Sequence, residues 1–546
     1  MLLACMTVSA LLFGTTACGP ANKTDKTVEQ ETEEKEDKDP DKDGEKGNDK
    51  NPDESKDAGD DQKEPESVKN PVYPIEIYKQ DFYDSYWEDI SLAEVEYDLI
   101  YVGEGAAAEF SDLEDTLKAR NAEIKDSMTS AFEEYSEMAK EVYQSNPEYF
   151  YGPFTLEHRA DVLRCDNRVV CIGNFSYDYG GGAHGYYSYS GFNVDSVSGQ
   201  ELKISDVVKD VKSFPGLLYE KLVSENPDTG FWENTKEYLA ESFDETDTTL
   251  AWSIDYNAVT FYFNPYEVAS YAYGLIEVNF SFVEYPDLFN SYYTEIPDSF
   301  IAHSSCDFNK DGKIDTFSVF PIENEYGDME KIKISINDNT IERDVYAYGL
   351  DYWVVHTKED KYFLYVQLVR ENDYRTMEIY DMNGQIPVYL GEVDNVGFGS
   401  VCLDADNLEY AMIEFTNPEE FVLESRMSIF STYSAYKTYH VGPDGMPVSE
   451  DKFYRADYAG YPQIAELKTK KEVTGMLVNE TGTKTGEMFT IAAGTPVRVC
   501  ATDGDTFVDL EALDKRVRVY VVWEEWPQTI DGVDIEELFE GIMFAG

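Results

Sequence analysis

Between Gly19 and Asn70 the chain is built almost entirely from Lys, Glu, Asp, Asn, Pro and Gly, and this tract decides where folding can begin. So little apolar surface cannot offset the entropy of ordering a backbone, which predicts a disordered acidic linker. A flexible chain of roughly 50 residues reaches ~40 Å on average, and charge repulsion extends it. The segment ahead of the tract is its opposite. The first seventeen residues carry no charge, and Leu2–Phe13 is an apolar run too short to span a bilayer but suited to a signal-peptide core. Thr15-Thr16-Ala17-Cys18-Gly19 then sets small residues before a cysteine, as cleavage ahead of a lipidated Cys requires. The expectation is a signal peptide at 1–17, lipidation of Cys18 and a tether over 18–70, with the folded part exported and held at the outer side of a membrane. An ordinary secretory signal with an incidental Cys18 is the other reading, and export follows from both.

A net charge of −65 excludes a phosphate-tracking nucleic-acid binder, whose affinity comes from Lys and Arg. It also disfavours adsorption to anionic lipid. Two uses of the acidity stay open: solvation of an exported surface and attraction of a basic partner. With Cys5 in the signal and Cys18 in the anchor, Cys165, Cys171, Cys306, Cys402 and Cys500 are too few and too scattered for a disulfide scaffold. Cys165 and Cys171 stand at unequal offsets from a probable turn at Asp166-Asn167, so a bridge between them is not expected.

Residues 71–298 read as α+β. A strand-like run, Val95–Val102, precedes a stretch in which Ile124, Met128, Phe132, Tyr135, Met138 and Val142 recur at helical spacing, ending near Pro147. Thr155–Arg164 and Arg168–Phe175 flank the Asp166-Asn167 turn, and a run rich in Tyr and Gly over 177–192 supplies a third strand. Helical patterns at Phe214–Val223 and Phe231–Ser242 and strand patterns at Ala258–Phe263 and Ile276–Phe282 follow. Beyond Asp298, over 299–546, short β-type runs are punctuated by Asn309-Lys310-Asp311-Gly312, Asn383-Gly384, Asp444-Gly445 and Asp503-Gly504, which predict hairpins. This second half is β-rich, with its architecture unresolved.

The string Asp178-Tyr-Gly-Gly-Gly-Ala-His-Gly185, then Phe192-Asn193-Val194-Asp195, Ser198-Gly199-Gln200-Glu201-Leu202 and Ser205-Asp206-Val207, resembles the RsiV-like extracellular family. The run from Phe261 to Gly274 followed by the strand at 276–282 is similar to the second signature of that family, in the same order. The resemblance covers about 71–298. It implies an α+β extracellular module of the kind found in lysozyme-sensing anti-sigma factors and appended to PdaC-type peptidoglycan deacetylases, and hence binding of lysozyme or wall glycan. No membrane-spanning helix of an anti-sigma factor and no His-x-x-x-His pair of a deacetylase occur in this sequence, and its Asp-Asp pair, Asp60-Asp61, stands in the acidic tract.

Asp307-Phe-Asn-Lys-Asp-Gly-Lys-Ile-Asp315 spaces oxygen donors as calcium loops do: Asp307, Asn309, Asp311, the Lys313 carbonyl and Asp315, with Gly312 at the turn. Ser318 stands where a full helix-loop-helix site has Glu, so the expectation is a structural calcium in a short inter-strand loop; a turn that binds nothing uses the same residues. Gly180-x-Gly182-x-x-Gly185 matches a dinucleotide fingerprint only in letters, since no helix follows it. No two of the five histidines fall at metal spacing. The ligand-facing candidates are therefore His184, beside its glycines, and Tyr186, Tyr187 and Tyr266, because Tyr joins a large apolar face to a polar tip. Strand alternation puts Tyr186 and Tyr187 on opposite faces. The expectation is a non-catalytic, surface-exposed binding lipoprotein; a glycan-active enzyme in the C-terminal half and a purely structural surface protein are the alternatives.

Overall fold

A computed structural model describes residues 71–404, 409–457, 467–523 and 526–544. The expectations for 1–17, Cys18 and 18–70 lie outside these residues. The chain opens with a long hairpin, β1 (Ile75–Trp87) and β2 (Ile90–Val102). Its turn residues, Glu88 and Asp89, have φ of +49° and +68°. Two-residue turns of this hand prefer Asn-Gly or Asp-Gly, so nothing in Glu-Asp announces the hairpin, and only Val95–Val102 is legible as strand.

Helix α1 (Ser111–Ser145) carries the chain over to β3 (Phe154–Cys165), which runs parallel to β2. A parallel pair needs such a crossover. The helix stops at Asn146, whose place before Pro147 disfavours helical ψ and which adopts φ −151°, ψ 79°. β4 (Val169–Tyr179) and β5 (Tyr186–Asp195) continue as a meander. The Tyr- and Gly-rich run is thus divided: its first residues finish β4, and Gly180–Gly185 loop before β5. In the β3–β4 ladder Cys165 faces Val170 and Arg164 faces Cys171, so the two thiols are staggered, and both are free and buried.

Helices Phe214–Glu225 and Thr235–Glu241 pack Phe214, Leu218, Leu222 and Leu239 onto a three-stranded sheet, β6 (Ala251–Ile254), β7 (Ala258–Phe263) and β8 (Ile276–Ser281). This sheet meets β5 at Gly191, where a Cβ would lie 2.1 Å from the Trp252 carbonyl oxygen, so only glycine admits the approach.

The second half begins with β9 (Phe300–Ala302), β10 (Phe317–Glu323), β11 (Met329–Ile336), β12 (Asn339–Ala347), β13 (Gly349–Thr357), β14 (Lys361–Val369), β15 (Arg375–Asp381) and β16 (Val388–Asp394). They form a three-stranded sheet, β10–β11–β12, and a five-stranded one, β16–β15–β14–β13–β9. After β17 (Gly397–Phe398), the hairpin β18 (Ser400–Asp404) and β19 (Glu409–Ile413) returns to the first half and pairs with β1. The result is a seven-stranded sheet, β18–β19–β1–β2–β3–β4–β5. Residue 299 therefore marks a change of sequence character but not the edge of the N-terminal sheet. Tyr73 Oη donates to the Ser299 carbonyl at 2.5 Å and Thr416 Oγ1 to the Ile75 carbonyl at 2.7 Å, tying the same seam.

The remaining strands, from Phe421–Met427 to Lys515–Tyr520, build the largest sheet around Ile429, Tyr433, Leu467, Val499, Leu510 and Val517. Asn383-Gly384, Asp444-Gly445 and Asp503-Gly504 each join paired strands, as expected. Asn309–Gly312 does not: β9 pairs with β13 and β10 with β11, so this turn sits inside a longer connection. Helix makes up 16% and strand 46% of the described residues, which fixes the class as α+β with a β-rich C-terminal region.

Candidate ligand-binding face

Pleating gives the seven-stranded sheet two chemically different faces. Val95, Tyr97 and Leu99 of β2 and Leu156 of β3 point to α1 and pack on Ile124, Met128, Phe132 and Tyr135. Residues offset by one point the other way. Ladder register then sets Phe82 opposite Glu96, Glu96 beside Glu157, Glu157 opposite Tyr177 and Tyr177 opposite Tyr187. One row thus crosses β1 to β5 as aromatic, acid, acid, aromatic, aromatic. The neighbouring positions Asp84, Glu94, Asp98, Arg159, Asp161, Phe175 and Tyr189 share this face.

Arg159 organises the acids. Its guanidinium donates through two nitrogens to the two oxygens of Glu96, each at 2.6 Å, and lies 3.8 Å from Glu157. No hydrogen-bond donor reaches the Glu157 carboxylate among the described residues, and its side chain keeps 31% of its exposure. Burial, followed by the charges of Glu96 and Glu94 and against the pull of Arg159, holds Glu157 above the ordinary carboxylate range. Glu94 is raised as well, first by burial, with a Ser91 hydroxyl opposing. Deeper in, Asp98 accepts from Tyr78 Oη at 2.7 Å and the Ala160 N–H at 2.8 Å, yet burial pushes it up to about 7. At that end the second half of the chain covers the face: His303 Nε2 lies 3.8 Å from Glu414, and Asp161, Glu414 and Asp351 together hold the imidazole above its usual value.

At the β5 side the row runs into an aromatic cluster centred on Tyr271. His184, exposed on the glycine loop, stacks on Tyr271 with centroids 4.3 Å apart and planes at 25°. Tyr187 meets the same ring edge-on at 5.9 Å and Tyr266 lies tilted at 5.5 Å. Tyr271 Oη donates to the Gly185 carbonyl at 3.1 Å, and the His184 ring Nδ1 sits 2.8 Å from that oxygen. Gly185 lets the Tyr177 ring pack directly on the loop, since a Cβ there would fall 2.5 Å from that ring and displace it. Tyr266, 55% exposed, holds φ at +71°, a left-handed conformation uncommon for a bulky residue and most often kept where function needs it.

Three of the four residues expected from sequence, His184, Tyr187 and Tyr266, are brought together. Tyr186 is not: it is exposed on the opposite face of β5, as alternation requires. Tyr271, which holds the cluster, and the Phe82–Glu96–Glu157–Tyr177 row were not singled out. Period-two reading could have assigned each residue to a face, but the row needs the register of five strands.

In the 307–315 loop the side chains of Asp307, Asn309, Asp311 and Asp315 each accept an N–H from within the loop or its surroundings. Asp307 accepts from Asp311 and Gly312, Asn309 from Asp311, and Asp311 from Lys313. Asp315 takes the Phe308 and Asn309 N–H groups and the amides of Asn309 and Asn337. Among the described residues no three His, Cys, Asp or Glu side chains gather in a metal-holding group. The loop closes on its own donors. An open cavity of about 310 Å³ lies against its Asn309 and Lys310, between Asp360, Asp381 and Asn383.

Residues 107–187 match the family model described as Deacetylase PdaC, and residues 201–282 the model described as a protein of unknown function, DUF3298. No curated protein matches the chain. Among solved structures, a DUF3298 family member from Bacteroides fragilis is 16% identical, covering 41% of this chain and 96% of that one at a TM-score of 0.30. A DUF3298 family protein from Pseudomonas aeruginosa is 16% identical, covering 42% and 98% at a TM-score of 0.28. Over these two segments, under half of its length, the chain is similar to the PdaC and DUF3298 families. No helix among the described residues is long and apolar enough to cross a membrane. His184 and Tyr187 belong to the first matched segment and Tyr266 and Tyr271 to the second, so the cluster forms where the two segments meet.

Proposed function

We propose that this protein is a non-catalytic binding protein of the cell surface, exported and lipidated on Cys18, that takes an extracellular ligand on the face leading to Tyr271. The observation that carries the proposal is the convergence of His184, Tyr187 and Tyr266 on the Tyr271 ring from two distant chain segments, in part-exposed positions beside a row of carboxylates. Stacked rings with polar tips supply contact area at small entropic cost, which suits sugar or protein recognition. Two ligands follow from the RsiV-like resemblance: cell-wall glycan, which the PdaC match also favours, and lysozyme, which the net charge of −65 favours. A structural calcium at Asp307, Asn309, Asp311, the Lys313 carbonyl and Asp315 is proposed on the spacing of these oxygens alone.

The test is binding of the purified chain to soluble wall glycan and to lysozyme, with and without Tyr271→Ala. Loss of at least about tenfold in affinity, ~1.4 kcal/mol, with an unchanged melting temperature is expected. A lysozyme complex must also weaken in salt, since exposed charges are screened beyond ~10 Å at moderate ionic strength. Full affinity in the variant would remove the cluster from the binding site, and acetate or sugar released from glycan by the wild type would overturn the non-catalytic reading.

A further inference from the structure

Resting on that binding reading, we propose that the ligand is a glycan bearing free amino groups, with Glu157 and Glu94 receiving its ammonium groups while Tyr177 and Tyr187 stack on its sugar rings. Three features of the face converge on this chemistry. First, the sheet sets the two required groups on adjacent strands, Glu157 on β3 and Tyr177 on β4. Directly opposed residues of neighbouring antiparallel strands lie about 5 Å apart at Cβ, so Glu157 stands one strand from the Tyr177 ring and Tyr187 one strand beyond it. An amino sugar carries its nitrogen directly on the ring, so a ring stacked on Tyr177 brings its amine to the Glu157 carboxylate. A lysine or arginine presents its charge on a long flexible stem and has no need of a ring platform at that distance.

Second, the acids exceed the cations that serve them. Glu96 consumes Arg159 through both oxygens, while Glu157 has only the looser contact at 3.8 Å and no hydrogen-bond donor among the described residues. A half-buried carboxylate without donors is costly until an opposite charge arrives. An N-acetylated sugar brings only a neutral amide; a protonated amine brings the charge and the donors together.

Third, the aromatic track is continuous. Phe175 stacks on Tyr187 at 6.2 Å, Tyr187 meets Tyr271, and Tyr271 carries His184 and Tyr266. A track of that extent suits several successive rings of a polymer better than one sugar.

The experiment is calorimetric titration of the full chain at low salt, in mildly acidic buffer, with a glucosamine oligomer and an N-acetylglucosamine oligomer of equal length. The amine oligomer is expected to bind at least about tenfold more tightly, ~1.4 kcal/mol. Glu157→Gln should abolish that difference and leave the weaker N-acetylated binding in place, with Glu94→Gln as the second variant if the first does not fold. Equal affinity for the two oligomers would overturn the amine inference while leaving the binding face intact. Binding of lysozyme or of a lysine oligomer of matched charge, with neither sugar bound, would overturn it in favour of a protein ligand. Binding of none of these would remove the binding face itself.

Discussion

The two faces of the seven-stranded sheet come from the same strands and differ by a shift of one residue. Toward α1, Val95, Tyr97, Leu99 and Leu156 are buried against a helix that the sequence places directly between β2 and β3. Away from it, Glu94, Glu96 and Glu157 lie between Phe82 on one side and Tyr177 and Tyr187 on the other and stay part-exposed. The first face is covered by its own crossover, so its chemistry is that of a core. The second is covered at the end where His303 and Asp351 arrive from the distant half of the chain and, along β5, by the β6–β8 sheet, which meets it at Tyr189 and Gly191. Between those contacts the second face keeps its acid and aromatic groups part-exposed, and that is where the proposed ligand would lie.

The largest effect should separate the faces by stability. Leu99→Ala, at a position 3% exposed, is expected to cost about 3 kcal/mol through lost burial and the cavity left behind, read from the shift of the urea midpoint. The Glu157→Gln and Tyr271→Ala variants described above should fall well below this while losing ligand. A Leu99→Ala midpoint within error of wild type would break the distinction between core face and binding face.

An intermediate effect is expected from pH, because the faces titrate in opposite senses. Burial pushes Asp98 on the open face and Glu277 on β8 up to about 7, and Asp351 up to about 6. A carboxyl whose folded value is raised stabilises while protonated, and its contribution is lost as pH rises through that folded value. His303, raised by its acidic neighbours, loses stabilisation in the same direction. On the helix face burial depresses His158 to about 4, so its contribution is complete above the ordinary imidazole range and lost as pH falls through that value. With three carboxyls and one imidazole against one, the melting temperature should fall as pH is raised from about 5 to about 8. A rise across that window would show that the open-face acids are ionised and satisfied in the folded state.

The smallest effect lies away from both faces. Calcium in the 307–315 loop should raise the melting temperature by about 1–2 °C, because ligation competes with N–H donors already in place. An unchanged value on adding calcium or chelator would leave the loop as a hydrogen-bonded turn.

Much of the secondary structure was legible because its causes are local. Helical spacing from Ile124 to Val142 lies within α1, Asp166-Asn167 turns β3 into β4, and Ala258–Phe263 is a strand with the bounds expected. The β1–β2 hairpin was not legible, since Glu88 and Asp89 adopt positive φ without the residues that usually signal it. Nor was the role of 400–413, because a hairpin gives no sign of which sheet edge, more than 300 residues away, it will join.

By itself the sequence determined which residues alternate, where the helices stop, which glycines sit in the 180–185 loop, and an acidity that sets the sign of any charged partner. These follow from short-range sterics and from charges that can be counted. Only the tertiary structure decided that Glu157 lies between Glu96 and Tyr177, that Tyr271 gathers His184, Tyr187 and Tyr266, and that the second half of the chain caps one end of the open face. Those neighbours belong to different strands, and strand order and register are settled by what the whole chain can bury together rather than by any one segment.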